Sequence, residues 1–322
     1  MVSGYNEMGL AYRDHDCAHV NETVGYYRQI AVEPLGPDSY MSAMPPTRMG
    51  SLASYAYGGN TLAIAVNAAY QTVQASFHLY SICGHYIRAA RTDRRLICQI
   101  ERVRDTRTFQ TRVIRVSQEG NDASTQLCFI ASADFHIEEP RSMVTYSTLP
   151  QTSLPLSNTG ISTIPPQGPK EHGLYQNLER FLDMQPIAVA ASMKEEEQKG
   201  PSSAPSRFSA ERFRVQAPLE SEAEHISALA FYMDKGLAYI PANHSGYALT
   251  DASACATLDF SLRLFTHGID LRQWHLTEAT TSVAGNARAF SEGRVWDENG
   301  RLVASMTQQT LLRPKAGFHP RI

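Results

Sequence analysis

The stretch that decides the fold is LRQWHLTEATTSVAGNARAFSEGRVWDENGRLVASMTQQTLLRP, residues 271–314. Its alternation of apolar and polar residues predicts three consecutive antiparallel strands. These strands are Gln273–Val283, Ala287–Trp296 and Leu302–Leu312. Asn299-Gly300 lies in the turn between the last two, and this dipeptide is a strong signal for a β-hairpin. The chain is therefore predicted to end in a three-stranded antiparallel sheet.

Polar residues interrupt the last of these strands. After the apolar Val303 and Met306, the strand continues as Thr307-Gln308-Gln309-Thr310. A buried amide without a hydrogen-bond partner costs about 1–3 kcal/mol, so these residues need either solvent or partners. Two interpretations stay open on pattern alone: one or two of the four line a functional site, or this face of the sheet is exposed.

Upstream, the sequence divides into two structured blocks joined by a linker. We predict an N-terminal domain over residues 1–144, a linker over 145–206 and a C-terminal domain over 207–322. The linker is rich in proline, serine and threonine, which is typical of a tether, and is predicted to contain one short helix around residues 174–184.

Both domains are predicted to place one helix before a run of strands. The helices are expected over residues 59–73 and 220–236, and the second domain is expected to begin with a strand at Phe213–Gln216. Four strands follow the first helix: Ser76–Ile82, Leu96–Val103, Thr108–Val116 and Gln126–Phe135. The shared order indicates an internal duplication.

The two halves differ at the position of Gln308. When Asn121 is superposed on Asn299, Gln308 has Ile130 as its counterpart. A polar residue that served only the fold should be tolerated in both copies. The difference therefore favours one functional site per chain, located in the C-terminal sheet.

Composition and charge exclude several classes of protein. The chain has 322 residues, of which 43% are hydrophobic and 19% charged, and its net charge is −3. These values are typical of a globular protein and give no electrostatic basis for binding nucleic acid. No apolar stretch approaches the length of a membrane span or the core of a signal peptide. We therefore expect neither a nucleic-acid nor a membrane partner.

The five cysteines indicate reduced thiols in an intracellular protein. They are odd in number and widely spaced, and none forms a CxxC pair or a Cys/His ligand spacing. We expect neither a disulfide framework nor a metal site. The sequence also lacks the G-x-S-x-G elbow of serine α/β-hydrolases, the P-loop and the dinucleotide fingerprint.

The C-terminal stretch resembles the type II acyl-CoA thioesterases, the TesB-like and peroxisomal enzymes that carry two hotdog domains on one chain. The family's last strand reads roughly D-G-x-L-V-A-S-x-x-Q-E-G-x-x-R, and residues 299–313, NGRLVASMTQQTLLR, are similar to it. The resemblance covers most of the chain. It implies an α+β double hotdog fold: two tandem hotdog domains, each a long helix wrapped by a curved antiparallel β-sheet.

The same resemblance implies three catalytic residues. Gln308 falls on the family's catalytic glutamine. Residues 256–262, ATLDFSL, resemble the segment that carries the catalytic aspartate, which implies Asp259 as the base. An ungapped count from Ala287-Arg288 implies Ser282 as the catalytic hydroxyl. The implied reaction is hydrolysis of an acyl thioester by water activated on the aspartate, without a covalent intermediate.

A second group of residues is expected to contact the substrate. Residues 57–60, Tyr-Gly-Gly-Asn, resemble the family's F-G-G-Q at the start of the central helix, with a shorter asparagine in place of glutamine. Two glycines before a helix let a ligand approach backbone N–H groups, although a turn that needs positive φ would explain them equally well. The full set of expected substrate contacts is Tyr57, Gly58, Gly59, Asn60, Thr281 and Arg288.

One loop departs from the family pattern. Relatives continue with L-R/K-P-G after the strand that here contains residues 76–80, whereas this chain reads SICGHYIR over residues 81–88. The departure leaves alternatives to an acyl-CoA thioesterase open. They are a cyclase, dehydratase-like lyase or product-releasing hydrolase of a polyketide or other secondary-metabolite pathway, and a non-catalytic acyl-binding protein.

The expected partner is a small-molecule acyl thioester, with coenzyme A entering as part of the substrate and no separate cofactor. Some relatives are peroxisomal, but the chain ends in Pro320-Arg321-Ile322 rather than in the S-K-L tripeptide. The cytosol is therefore the expected compartment and the peroxisome the alternative. Hotdog sheets often pair further, so the resemblance is compatible with a homo-oligomer.

Overall fold

A computed structural model describes residues 27–51, 54–122, 124–152, 174–188 and 201–319 of the chain. Residues 27–30 are helical, and the α-helices that lie wholly within these ranges are α1 (Gly58–Tyr70), α2 (Glu222–Met233) and α3 (Ile240–His244). The strands are β1 (Val32–Gly36), β2 (Ser39–Ser42), β3 (Phe77–Tyr86), β4 (Ile97–Asp105), β5 (Phe109–Glu119), β6 (Thr125–Ile137), β7 (Leu182–Ile187), β8 (Phe208–Val215), β9 (Ala252–Leu264), β10 (His275–Gly285), β11 (Arg288–Trp296) and β12 (Leu302–Pro314).

The strands form one antiparallel sheet that continues across both halves of the chain. Its order is β1-β2-β4-β5-β6-β3-β9-β12-β11-β10-β8-β7. β3 pairs with β9, so the N-terminal and C-terminal strands meet in the middle of the sheet. Each half encloses one helix. Tyr70 of α1 packs edge-on against Phe135 of β6, and Tyr232 of α2 stacks on Phe213 of β8.

The two central helices owe their positions to different local features. α1 is rich in alanine and aliphatic residues on all sides, and every residue from Gly59 to Ala69 is buried. A helix of this kind is stable only when it is enclosed. α2 begins with a capping box, in which Ser221 Oγ accepts the N–H of Glu224 and the Glu224 carboxylate accepts the N–H of Ser221. It ends before Gly236, whose φ of +86° suits glycine.

The N-terminus of α1 packs directly against the C-terminus of α2. A Cβ atom added to Gly59 would lie 2.5 Å from the backbone oxygen of Phe231. Tyr57, the residue before α1, donates a hydrogen bond to the same oxygen at 2.5 Å and packs its ring edge-on against that of Phe231. The contact joins the two halves of the chain and requires glycine at position 59.

The predicted helices and antiparallel strands of both blocks are confirmed, with boundary shifts of a few residues. The sequence pattern missed β1, β2, β7 and β9. The short helix expected around residues 174–184 is wrong: residues 174–181 form turns, and Leu182–Ile187 forms β7, which pairs with β8 along the edge of the sheet. Backbone hydrogen bonds to an existing strand determine this structure, and local composition does not reveal them.

The beginning of the predicted linker is attached to the C-terminal sheet. The buried Glu278 carboxylate accepts hydrogen bonds from the backbone N–H groups of Gln151 and Thr152 at 3.1 and 2.6 Å. Trp296 Nε1 donates to the backbone oxygen of Thr148 at 2.8 Å. Cys17 and the charged run 194–199 lie outside the described residues. Among the helices that the structure describes, none has the length and apolar character needed to cross a membrane.

Replacing Gly59 with alanine should destabilise the protein, although alanine is ordinarily the better helix former. The added Cβ would overlap the Phe231 oxygen, and overpacking of this kind costs about 1–3 kcal/mol. Gly36→Ala is the matched control, because no atom lies within 4 Å of its added Cβ. Urea denaturation measures both variants. Equal stability of the two variants and the wild type would contradict the close helix contact.

Candidate active site

Asp234 places a carboxylate inside the protein where the two helices meet. It follows the last residue of α2, and it is only 8% exposed. Gln308 Nε2 donates to its Oδ1 at 2.6 Å, and the backbone N–H of Gly59 also bonds to this carboxylate. The negative charge therefore faces the N-terminus of α1, where the helix dipole and the free N–H groups favour an anion.

Two side chains from the sheet complete the hydrogen bonds around Asp234. Gln308 is fully buried in the middle of β12. Thr257 of β9 places its Oγ1 3.4 Å from Asp234 Oδ1 and 3.3 Å from Gln308 Oε1. A hydroxyl donates one hydrogen bond and can also accept, so Thr257 can hold a water molecule as well. We call Asp234, Thr257 and Gln308 the Asp234 cluster.

A β-bulge in β9 directs Thr257 into this cluster. Residues that pair directly across antiparallel strands share a face, and successive residues alternate between faces. The register of β12 and β9 runs through the pairs Gln308–Phe260, Gln309–Asp259 and Thr310–Thr257, which leaves Leu258 as an extra residue. Thr257 consequently lies on the same face as Gln308, and Asp259 lies on the opposite face.

The environment of Asp234 favours proton transfer near neutral pH. Burial raises the pKa of Asp234 to about 7, because the charged form loses its hydration. The hydrogen bonds from Gln308, Gly59 and Thr257 act in the opposite direction and limit this rise in pKa. A carboxylate with a pKa near the working pH can take a proton from water and later release it. The cluster therefore has the properties of a general base.

Asp234 and Tyr86, the last residue of β3, both lie against Gly58. A Cβ atom added to Gly58 would lie 2.7 Å from Asp234 Oδ2 and 3.1 and 3.2 Å from Cε1 and Cζ of Tyr86. The Tyr86 hydroxyl is buried, and no hydrogen-bond partner for it exists among the described residues. Burial and the nearby Asp234 charge raise the pKa of Tyr86 well above its ordinary value, so its hydroxyl keeps its proton. It is a donor without an acceptor.

Gln308 is the one residue of the three implied catalytic residues that lies in the Asp234 cluster. Asp259 faces the other side of the sheet, because it pairs with Gln309, the neighbour of Gln308, and successive residues of a strand alternate between faces. Ser282 is exposed at a bulge in β10. The side chains that contact Gln308 are therefore those of Asp234 and Thr257, whereas Asp259 and Ser282 lie outside the cluster.

The sequence holds one signal that could have identified Asp234. It stands in Met233-Asp234-Lys235-Gly236, at the end of the predicted helix 220–236. The helix dipole disfavours negative charge at a C-terminus, so an aspartate there suggests a role outside its own helix. Thr257 lies two residues before Asp259, so regular alternation would place both side chains on the same face of β9. The bulge at Leu258 places them on opposite faces, and the sequence pattern does not reveal a bulge.

The expected substrate contacts at residues 57–60 divide into two pairs. Gly58 and Gly59 lie against Asp234, and their contact with a ligand stays a prediction. Tyr57 and Asn60 are occupied in packing instead. The Tyr57 hydroxyl bonds to Phe231, and the buried Asn60 side chain bonds to Gln29 and to the backbone N–H of Thr47. Both side chains are therefore engaged in hydrogen bonds within the fold, and their contact with substrate stays a prediction.

Thr281 and Arg288 lie farther along the sheet. Thr281 is buried in β10, and its hydroxyl donates to the backbone oxygen of Phe290 at 2.9 Å. β10 is two strands from β12, which corresponds to about 10 Å at ordinary strand spacing. Arg288 is exposed at the start of β11. Ser291 pairs with both Thr281 and Gln308, and its buried hydroxyl lacks a partner among the described residues.

A separate cluster has side chains that could hold a metal ion. His78, Glu222 and His267 offer ligand atoms that all lie within 4.8 Å of one another. His78 Nδ1 lies 2.6 Å from Glu222 Oε2, and the rings of the two histidines are 4.2 Å apart. Glu222 begins α2 and Asp234 follows its end, so the length of the helix separates this cluster from Asp234 by about 18 Å. The two clusters are distinct sites.

Both halves of the chain match one protein family. Residues 45–136 match the acyl-CoA thioesterase N-terminal domain, and residues 161–312 match the acyl-CoA thioesterase C-terminal domain. The chain belongs to the acyl-CoA thioesterase family. This match confirms the resemblance to the TesB-like type II enzymes, and with it the assignment to a family of thioester hydrolases.

Two named acyl-CoA thioesterases align with most of this chain. Acyl-CoA thioesterase 2 of Haemophilus influenzae is 22% identical over 259 residues, which cover 80% of this chain and 87% of the relative. Human acyl-coenzyme A thioesterase 8 is 23% identical over 271 residues, with coverage of 80% and 81%.

Solved structures confirm the double hotdog fold. The acyl-CoA thioesterase II TesB2 of Mycobacterium marinum superposes with a TM-score of 0.68 at 21% identity, covering 92% of this chain and all of that one. A protein of Alicyclobacillus acidocaldarius described as having a hot dog fold superposes with a TM-score of 0.67 at 16% identity, with coverage of 91% and 99%.

Proposed function

We propose that this protein hydrolyses acyl-CoA thioesters with Asp234 as the base that activates water. The observation that carries the proposal is the Asp234 cluster, in which an amide and a hydroxyl hold a buried carboxylate of pKa about 7 beside a helix N-terminus. The family match and the names of the relatives support a coenzyme A thioester as the substrate.

The reaction proceeds by direct attack of water. The water oxygen bonds to the acyl carbon while one of its protons passes to Asp234, and the carbonyl electron pair moves onto oxygen. Gln308 holds the Asp234 carboxylate, and Thr257 positions the water beside it. When the tetrahedral intermediate collapses, the C–S bond breaks and the proton on Asp234 passes to the leaving sulfur. The products are the carboxylic acid and the free thiol of coenzyme A, and no cofactor takes part.

Tyr86 and Gly58 supply hydrogen bonds to the oxyanion of this intermediate. The Tyr86 ring lies beside Gly58, and its buried hydroxyl retains its proton and lacks a partner among the described residues. The N–H of Gly58, the first residue of α1, has no partner within the helix. Donors fixed in a buried site stabilise developing negative charge without reorganising during the reaction. A side chain at position 58 would crowd the Asp234 carboxylate and the Tyr86 ring.

The two aspartates of this region test the assignment of the base. Asp234→Asn should lower kcat/KM for acyl-CoA by about 10²–10⁴-fold, because a general base typically contributes that much. Asp259→Asn should retain the wild-type value, because its carboxylate faces away from Gln308. Free-thiol release from a panel of acyl-CoAs measures both. The opposite ranking would overturn the assignment, and no release by the folded wild type would overturn the proposed function.

Replacing Tyr86 with phenylalanine should lower kcat by about 10²-fold with little change in KM, since one oxyanion donor is lost. The unfolding free energy should stay the same or rise, because the hydroxyl has no bond to lose among the described residues. Tyr40→Phe is the control, because its hydroxyl bonds to Gln71 in the N-terminal half. An unchanged kcat in Tyr86→Phe would remove Tyr86 from the mechanism.

We also propose the cytosol as the compartment of this protein. Free thiols at Cys83, Cys98, Cys128 and Cys255 support the cytosol, where thiols stay reduced. A homo-oligomer remains an expectation from the family resemblance. The cyclase, lyase and acyl-binding alternatives have no structural observation in their favour.

A further inference from the structure

Two histidines and a glutamate converge at the start of α2, the end of that helix remote from the candidate active site. Glu222 is the first residue of α2, His78 is the second residue of β3, and His267 lies in the loop that follows β9. β3 and β9 pair with Ser81 opposite Arg263, and this antiparallel register brings the start of β3 beside that loop. The mechanism above uses none of the three converging side chains.

The three side chains lie close enough together to share one metal ion. Their ligand atoms are all within 4.8 Å of one another, and His78 Nδ1 lies 2.6 Å from Glu222 Oε2. The centroids of the two histidine rings are 4.2 Å apart, and the rings are tilted by 35°. Two ligands that bind one Zn²⁺ tetrahedrally at about 2.0–2.2 Å lie roughly 3.3–3.6 Å apart. Small side-chain rotations, which open the shortest contact and close the others, therefore suffice to surround an ion.

His267 is available as a ligand. Its side chain is exposed, and its ring nitrogens have no hydrogen-bond partner among the described residues. The partly buried ion pair of His78 with Glu222 does not need a second imidazole, and two imidazoles repel each other when both are protonated. A divalent ion uses all three side chains at once. The exposed position of His267 also gives the ion a path from solvent.

Tyr70 holds the glutamate in position for this role. Its hydroxyl bonds to the Glu222 carboxylate and accepts the backbone N–H of Leu79, the neighbour of His78, at 3.1 Å. One hydroxyl thus connects α1 to both the start of α2 and the start of β3. Hydrogen bonds to the ligands of a metal ion orient them and contribute strongly to the affinity for the ion.

We propose that His78, Glu222 and His267 bind a divalent transition-metal ion of the Zn²⁺ type and that this ion joins the two halves of the chain. Two imidazoles and one carboxylate suit Zn²⁺, whereas Mg²⁺ and Ca²⁺ prefer oxygen ligands alone. The ion replaces the proton that lies between His78 Nδ1 and Glu222 Oε2, and a water fills the fourth position. His78 belongs to the N-terminal half and the other two ligands belong to the C-terminal half. The proposal is independent of the reaction at the candidate active site.

The positions of the ligands in the sequence explain why local spacing indicated no metal site. His78 and Glu222 are 144 residues apart. Recognisable metal motifs place at least two ligands within a few residues of each other. The pairing of β3 with β9 and the packing of α2 bring these ligands together, and ligand spacing along the chain does not reveal such contacts.

Calorimetric titration of the full chain with Zn²⁺, after treatment with a chelator and dialysis, tests the site. The wild type should bind one equivalent, and His267→Ala should bind it at least about 100-fold more weakly, because a ligand is lost. This substitution removes an exposed side chain without hydrogen bonds among the described residues, so the fold should persist. His85→Ala is the matched control, because His85 is exposed and lies about 23 Å from His78 along β3. Mg²⁺ and Ca²⁺ should not bind.

Two further measurements separate a built site from casual binding by a surface histidine. Tyr70→Phe keeps the aromatic ring that packs on Phe135 and should weaken Zn²⁺ binding about tenfold, because the hydrogen bond to Glu222 is lost. Zn²⁺ at about 100 times its Kd should raise the Tm of the wild type and of His85→Ala by at least about 4 °C. The same Zn²⁺ concentration should leave the Tm of His267→Ala unchanged, and a chelator should reverse the rise.

Equal Zn²⁺ affinity of the wild type and His267→Ala, or no binding by the folded wild type, would overturn the site. Co²⁺ distinguishes the proposed ligands from the cysteines, because thiolate ligands give a charge-transfer band that imidazole and carboxylate ligands do not. A thiolate band in the Co²⁺-loaded wild type would therefore also overturn the assignment. Binding that leaves the Tm of the wild type unchanged would overturn the claim that the ion joins the two halves.

Discussion

The close approach of the end of α2 to the start of α1 fixes the position of the candidate active site. Gly59 permits this approach, because any side chain there would meet the backbone oxygen of Phe231. Asp234 follows α2 directly, so the same contact delivers its carboxylate to the N–H groups at the start of α1. The helix dipoles account for the arrangement: negative charge is unfavourable at the end of its own helix and favourable at the start of the other. The site consequently requires both halves of the chain.

The duplicated fold provides the scaffold, and the two halves contribute different residues to the proposed active site. The C-terminal half supplies the acid, the hydroxyl and the amide. The N-terminal half supplies a helix N-terminus, Tyr86 and Phe129. The Phe129 ring stacks on that of Phe260 from the C-terminal half, with 5.7 Å between the ring centroids. Ile130, the counterpart of Gln308 in the superposed sequences, pairs with the exposed Arg115 and His85, and its neighbours Phe129 and Ala131 are buried. Burial disfavours the charged form of Asp234 and raises its pKa. Strongly shifted pKa values of this kind cluster at functional sites.

The sequence predicts the scaffold better than it predicts the site. Periodicity and turn residues predicted both central helices and the C-terminal strands, because amphipathic and buried patterns repeat over many residues. Gln308, singled out through its polar interruption of β12 and the family resemblance, lies in the Asp234 cluster. Its neighbours Asp234 and Thr257 were not predicted, since one depends on a contact between helices distant in sequence and the other on a one-residue bulge at Leu258. β7 was likewise missed because pairing with β8 forms it. Local sequence patterns do not reveal such long-range contacts.

The pH dependence of kcat/KM for acyl-CoA, measured for the wild type and for Gln308→Met, tests the central claim most directly. Asp234 must be ionised to accept a proton, and burial raises its pKa to about 7. The wild-type kcat/KM should therefore fall as the pH is lowered through about 7. The hydrogen bond from Gln308 lowers the pKa of Asp234, so removing it should move the midpoint to higher pH. A midpoint near the ordinary carboxyl value of about 4, or one that Gln308→Met leaves unmoved, would contradict the account.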